Sequence, residues 1–286
     1  MTALYREFTT VEELNVEYDI DATVPDFGVY AEYFMSRSAT TRARGGATLD
    51  IAYGPTLAET FDLFPGEGEG LRPALFFVHG GAWHITDSKV WSYVADGMAP
   101  LGITTVVEDY ALAPGATIAE IVRQHRAAFA HVWKNAEELG IDRDRIVIAG
   151  HSAGGHAVGM LLCTDWSDYG MPALPYAGAL SVSALMDMRP LPYTLHSPWV
   201  QLDQAGAEAL SPMLQLPTRL PPTVAAVGLA ETSEFERQSR DWVAACQAAG
   251  LPAEFRTFQR NHFDILDELA DPAGAMAAIV AGMLVA

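Results

Sequence analysis

Short apolar, β-branched runs separated by stretches of helical periodicity recur along this chain, and no other feature narrows its fold as much. Candidate strands are Ala74–Val78, Thr104–Glu108, Arg145–Ala149, Ala179–Ser183, Thr223–Gly228 and Ala253–Phe258. Several are apolar without alternation, as a parallel strand covered on both faces requires. Between the second and third, the stretch Thr117–Leu139 sets Ile118, Ile121, Val122, His125, Phe129, Val132 and Ala136 on one helical face. Between the last two, Glu234–Ala249 carries Phe235, Trp242, Val243 and Cys246 in similar register, and Gly250 and Pro252 end it. Strands alternating with helices predict the α/β class, with an open and mostly parallel sheet.

Two segments break the rhythm. Residues 1–45 carry scattered aromatics (Tyr5, Phe8, Tyr18, Phe27, Tyr30, Tyr33, Phe34), with a helix expected near Asp26–Arg44. They read as an extension packed over the sheet edge or the site. Residues 188–219 are rich in proline and read as a cap or lid insertion. Neither is long enough to stand as an independent unit, so residues 1–286 are expected to form a single domain. Half of the residues are hydrophobic, which supplies a large core and excludes wholesale disorder. Seventeen basic against 36 acidic side chains give a net charge of −19, which opposes contact with nucleic acid or anionic membranes. Cys163 and Cys246 lack redox or zinc spacing and read as buried thiols. The start lacks a secretory pattern, and the uncharged stretches 169–186 and 273–286 are respectively broken by proline and glycine and too short to span a bilayer. A soluble cytoplasmic protein is expected.

The chemistry centres on Gly150-His151-Ser152-Ala153-Gly154, directly after the apolar run Ile146–Ala149 and before a helical stretch. A serine exposed on a sharp strand-to-helix turn needs small flanking residues, and the N–H of Ala153 faces the same point. The motif alone is common in a glycine-rich chain; strand, turn and helix in order give it meaning. After Ala74–Val78 comes His79-Gly80-Gly81-Ala82-Trp83, whose glycines let backbone N–H groups approach a developing oxyanion. Gly81, Ala82 and Ala153 are therefore the candidate oxyanion donors. A nucleophilic serine also needs a base and an orienting carboxylate. Of eight histidines only His196 and His262 follow Ser152 at a distance; His262 lies just past the last strand and is the candidate base, while His196 lines or caps the site. Beyond Thr223–Gly228 the carboxylates are Glu231 and Glu234; Glu231 is the choice, with Glu234 the alternative as a first-turn helix residue.

The chain resembles α/β-hydrolases of the kynurenine formamidase (arylformamidase) group, related to hormone-sensitive-lipase-type esterases. The resemblance runs from about Tyr53 to Asp267. It rests on Tyr53-Gly54 with Glu59–Pro65, His79–Trp83, Asp109-Tyr110 with Leu112-Ala113-Pro114, Gly150–His156, Glu234-Phe235 with Arg237-Gln238-Ser239, and His262-Phe263. Two positions depart from the pattern: Ala82 stands where formamidases often carry an aromatic, which enlarges the acyl side, and Glu231 stands where the acid is frequently aspartate. The resemblance implies an α/β-hydrolase fold, with a small cap built from the N-terminal extension and an insertion after the sixth strand. It also implies a serine hydrolase without metal or cofactor, acting through an acyl-enzyme. The implied substrate is a small N-acyl aromatic amine, formyl or longer, such as N-formylkynurenine or an N-acylanthranilate; a carboxylic ester is the alternative. Trp83, Tyr110 and Trp199 are candidates to flank a flat aromatic leaving group, although each is as readily a core residue. A homodimer stays open.

Overall fold

The computed structural model describes residues 3–285. Its strands are β1 (Thr48–Ala52), β2 (Thr60–Phe64), β3 (Arg72–Val78), β4 (Thr104–Glu108), β5 (Ile141–His151), β6 (Gly178–Val182), β7 (Thr223–Gly228) and β8 (Ala253–Phe258). They form one sheet in the order β1-β2-β4-β3-β5-β6-β7-β8. Pairing is parallel from β4 through β8, while β2 runs antiparallel to both β1 and β4. This is the α/β-hydrolase architecture. The principal helices are α1 (Val11–Tyr18), α2 (Phe27–Ala43), α3 (Ile118–Lys134), α4 (Ala153–Leu162), α5 (Ser233–Ala248) and α6 (Ala275–Leu284). Among the described residues no helix is long and apolar enough to cross a membrane.

The unbroken apolar strands have a simple cause. Successive strand side chains point to opposite faces, and both faces of this sheet are covered. Ala74, Phe76 and Val78 join a core with Ile121 and Phe129 of α3, Val158 of α4 and Trp242 of α5. Leu75 and Phe77 join a second core with Met276 and Val280 of α6 and Phe34 of α2. The six expected strands all form; β5 is longer than expected, since Ile141 already pairs with Arg72 ahead of a register irregularity that spans the charged run Asp142–Arg145. The sequence pattern did not call for β1 or β2. β1 is an edge strand with four of its five residues exposed, so burial imposes no period on it.

The expected helix near Asp26–Arg44 is α2, started by the Asp26 side chain accepting from the Gly28 N–H at 2.8 Å. Residues 188–219 contain only short helical turns, from Leu191–Tyr193 to Pro212–Leu214, which run between β6 and β7. The extension is pinned at several points. Asn15 Oδ1 accepts from the Leu195 N–H at 2.7 Å, and the Tyr18 hydroxyl donates to Glu234 at 3.0 Å. On the far side, Arg37 pairs with Asp267 at 3.1 Å.

Candidate active site

β5 ends at His151 and α4 begins at Ala153, so Ser152 alone makes the turn, with φ 57° and ψ −117°. A positive φ in a non-glycine residue costs on the order of 1–3 kcal/mol and persists only where the surroundings fix it. Here the Ser152 N–H donates to the Val182 carbonyl at 2.9 Å. The flanking glycines have a steric reason: a Cβ on Gly150 would overlap the Gly154 carbonyl, and one on Gly154 would overlap the Val78 carbonyl. The motif's spacing is thus the contact pattern of the turn.

The loops after β7 and β8 bring a carboxylate and an imidazole together. Glu231 Oε2 lies 2.7 Å from His262 Nδ1, with both side chains shielded from solvent. The other oxygen, Oε1, accepts from the Ser183 hydroxyl and the Gly228 N–H, both at 2.6 Å. A carboxylate so surrounded is held in one orientation. His262 Nε2 is buried with no hydrogen-bond partner among the described residues, and His262 lines the same cavity as Ser152. Glu234, the alternative acid, is committed elsewhere, to Arg237 at 2.8 Å and to the Tyr18 hydroxyl. His262 is also braced from behind: its carbonyl accepts from His151 Nε2 at 2.9 Å. Burial, helped by His262, holds the His151 pKa well below the usual histidine range, so its ring is neutral.

The loop after β3 turns through three left-handed residues, Gly81 (φ 112°), Ala82 (φ 51°) and Trp83 (φ 60°). Its carbonyls are all engaged. His79 O accepts from Tyr110 at 3.0 Å, Gly80 O from Thr86 at 2.9 Å, and Gly81 O from the His84 N–H at 2.9 Å. Ala82 O accepts from the Trp199 indole at 3.0 Å, and Trp83 O from the Ala113 N–H at 2.7 Å. Gly81 and Ala82 line the cavity beside Ser152.

Two expected substrate contacts are corrected. Trp83 is fully buried, packs edge-on against His156 with ring centroids 5.4 Å apart, and does not line the cavity. Tyr110 is buried too, stacked on His79 at 4.3 Å. Both side chains support the loop from the core side: the Tyr110 hydroxyl donates to the His79 carbonyl, and the Trp83 ring packs against His156. Trp199 and His196 do line the cavity. Burial lowers the His196 pKa to about 4, against an opposing pull from Asp19.

The cavity holds about 360 Å³, within the usual range for small-molecule sites, and its walls are mostly apolar. One wall is Phe27, Phe34, Trp91 and Phe263; Phe27 meets Phe263 at 5.0 Å and Phe34 stacks on Trp91 at 5.2 Å. The other is Tyr18, His84, His196 and Trp199, with His84 stacked on Trp199 at 4.9 Å. Phe27 and Phe34 of the first wall and Tyr18 of the second come from the N-terminal extension. Sequence reasoning placed that extension near the site and noted Tyr18, Phe27 and Phe34 among its scattered aromatics, without assigning any of them to the cavity. Ser183 was missed as well, being a lone serine with no motif around it.

Comparison with known proteins adds an independent line. The chain matches the BD-FAE family over residues 62–169 and the prolyl oligopeptidase family over residues 126–267. A kynurenine formamidase of Danio rerio is 26% identical over 91% of this chain and 92% of its own length. One of Salmo salar is 28% identical over 82% of each. Among solved structures, a candidate thioesterase from Silicibacter sp. TM1040 superposes with a TM-score of 0.82 at 29% identity, covering 96% of this chain and 99% of that one. Esterase LipW of Mycobacterium marinum gives a TM-score of 0.73 at 20% identity over 90% and 88%, a likeness of fold.

Proposed function

The chain is a hydrolase of the α/β-hydrolase group that holds kynurenine formamidases and esterases, and from that premise we propose that Ser152, His262 and Glu231 are the catalytic triad of a serine hydrolase. The observation that carries the reading is the His262 ring: Nδ1 is held at 2.7 Å by a buried carboxylate while Nε2 is left without a partner in the cavity that Ser152 lines.

The steps follow from those positions. Glu231 keeps the proton on Nδ1, so the Nε2 lone pair is free to take the Ser152 proton as Oγ attacks the acyl carbon. The N–H groups of Gly81, Ala82 and Ala153 receive the negative charge that develops on the carbonyl oxygen; each such donor is worth about 100- to 1000-fold. The imidazolium then protonates the leaving nitrogen or oxygen, which departs and leaves an acyl-serine. Water, deprotonated by His262, attacks that ester, and Ser152 recovers its proton. The cap formed by residues 3–45 and 188–219 keeps bulk water away from the charged steps.

The substrate class we favour is an N-acyl aromatic amine, because the cavity offers aromatic surface on two sides and more room than a formyl group alone needs. A carboxylic ester is the second reading, favoured by the mostly apolar lining, which places a neutral ester without an ionic contact. A fluorophosphonate probe should add once, at Ser152, as read by peptide mass, and Ser152→Ala should neither label nor turn over substrate. Labelling elsewhere, or full activity in Ser152→Ala, rejects the triad. Parallel assays on N-formylkynurenine, neutral N-acyl anilides and p-nitrophenyl esters separate the classes; ester turnover without amide cleavage selects the second.

A further inference from the structure

We propose that this cavity selects by charge, admitting neutral and amine-bearing substrates and rejecting carboxylates, with Asp19 and Asp21 as the specificity-determining residues; the proposal rests on the serine-hydrolase reading above. Among the described residues no lysine or arginine lines the cavity, and the aspartates that do are Asp19 and Asp21, both exposed at its mouth. The nearby basic residues on that side are bound to other acids. Lys89 holds Asp50 at 2.7 Å and Asp62 at 2.6 Å, and Arg37 holds Asp267 and Asp96.

The two carboxylates line the cavity beside His196 and His262. Burial first and the neighbouring Asp19 second raise the Asp21 pKa, while His262 pulls it down. Asp19 in turn pulls the His196 pKa upward against burial. The acids thus share the cavity lining with His196 and His262, and burial keeps the His196 and His151 rings neutral, so neither of these two rings offsets a substrate carboxylate. Independently of the acids, the His262 Nε2 in the same walls is buried without a hydrogen-bond partner among the described residues, which leaves it open to a ligand. A substrate ammonium relieves the repulsion between Asp19 and Asp21; a substrate carboxylate adds a third negative charge beside them, an effect that salt screens. An aryl amide bearing only a carboxylate, such as an N-acylanthranilate, is therefore a poor substrate. A neutral anilide or one with a free amine is a good one.

The test uses three matched acetates, of 4-methylphenol, 4-(aminomethyl)phenol and 4-hydroxyphenylacetate, with each kcat/KM divided by the ester's rate of alkaline hydrolysis. The ammonium ester should exceed the carboxylate ester by at least about tenfold at low salt, a preference that shrinks as salt is added. In Asp19→Asn/Asp21→Asn the ratio should fall toward one, and in Asp21→Lys it should invert. Equal turnover of the two charged esters by the native chain overturns the proposal, as does an unchanged ratio in the double variant. Binding of the three phenols to Ser152→Ala, by calorimetry, ranks the charges without turnover. If no ester is cleaved yet the aminomethyl phenol binds tightest, the hydrolase reading fails and the charge selection stands. If the carboxylate binds as well as the amine, the charge selection fails whatever the chemistry.

Discussion

Glu231 shows how much one carboxylate can be asked to do. Its two oxygens take three hydrogen bonds, one from the imidazole and two from Ser183 and Gly228. Replacing it with glutamine keeps an acceptor for Ser183 and Gly228 but turns an N–H toward His262 Nδ1. The imidazole must then carry its proton on Nε2, the atom that has to receive the serine proton. Glu231→Gln should lower kcat by about a thousand- to ten-thousandfold with little change in KM, since the cavity walls are untouched. Steady-state kinetics on a neutral ester checks it. A variant within tenfold of the native rate would remove Glu231 from the triad. Ser152 makes a different demand, on space. Gly154→Ala places a methyl against the Val78 carbonyl, which is backbone and cannot step aside, so this variant should lose several kcal/mol or fail to fold.

The N-terminal extension reaches the catalytic loop through one helix start. The N-cap of α5, Thr232, makes no side-chain cap of its own. Glu17 supplies it from another element: its carboxylate accepts from the Glu234 N–H at 3.0 Å and the Ser233 hydroxyl at 2.9 Å, while its carbonyl accepts from Thr232. Glu231 immediately precedes this start. Glu17→Ala should therefore cost about 1 kcal/mol as a lost helix cap, read as a lower Tm. Hydrogen exchange should show residues 10–20 loosening first, and KM should rise more than kcat falls, because Tyr18 and Asp19 are wall residues. Unchanged KM alongside the lower Tm would mean the extension does not shape the site. The same contrast explains what could be read from the sequence. Ser152, Gly81, Ala82 and the parallel strands were legible because their constraints act between near neighbours: a tight turn needs glycine, and a two-sided strand needs an unbroken apolar run. The placing of Trp83 and Tyr110 was not, since the facing of a loop side chain is decided by partners distant in sequence, His156 for Trp83 and His79 for Tyr110. β1 left no trace because solvent makes no demand on its side chains. Tyr18, Phe27 and Phe34 were visible as aromatics, but which of them faces the cavity depends on how α1 and α2 dock.

On the scale of the whole molecule, a surface charge of −19 and a set of buried imidazoles respond to acid in opposite directions. Lowering the pH protonates surface carboxylates and eases their mutual repulsion, a gain that salt largely screens. The buried histidines work the other way. His156 and His196 have pKa values lowered by burial to about 4, and that of His151 is lowered as well. The unfolded chain takes up a proton at each near the ordinary value of about 6.5 while the folded chain does not. Their neutral burial therefore stabilises the fold fully above that pH and is lost progressively as the pH falls from about 6.5 toward 4. The slope is on the order of 1.4 kcal/mol per pH unit for each histidine. Because these groups are inside, salt should leave this part of the slope intact. Urea melts between pH 7.5 and 5 should show stability falling with acid at both low and high salt. His156→Gln, which can still donate to the Leu210 carbonyl, should flatten the slope by about one proton. Stability that is level across this range, or that rises as the acidic surface is neutralised, would show that surface repulsion outweighs the buried rings.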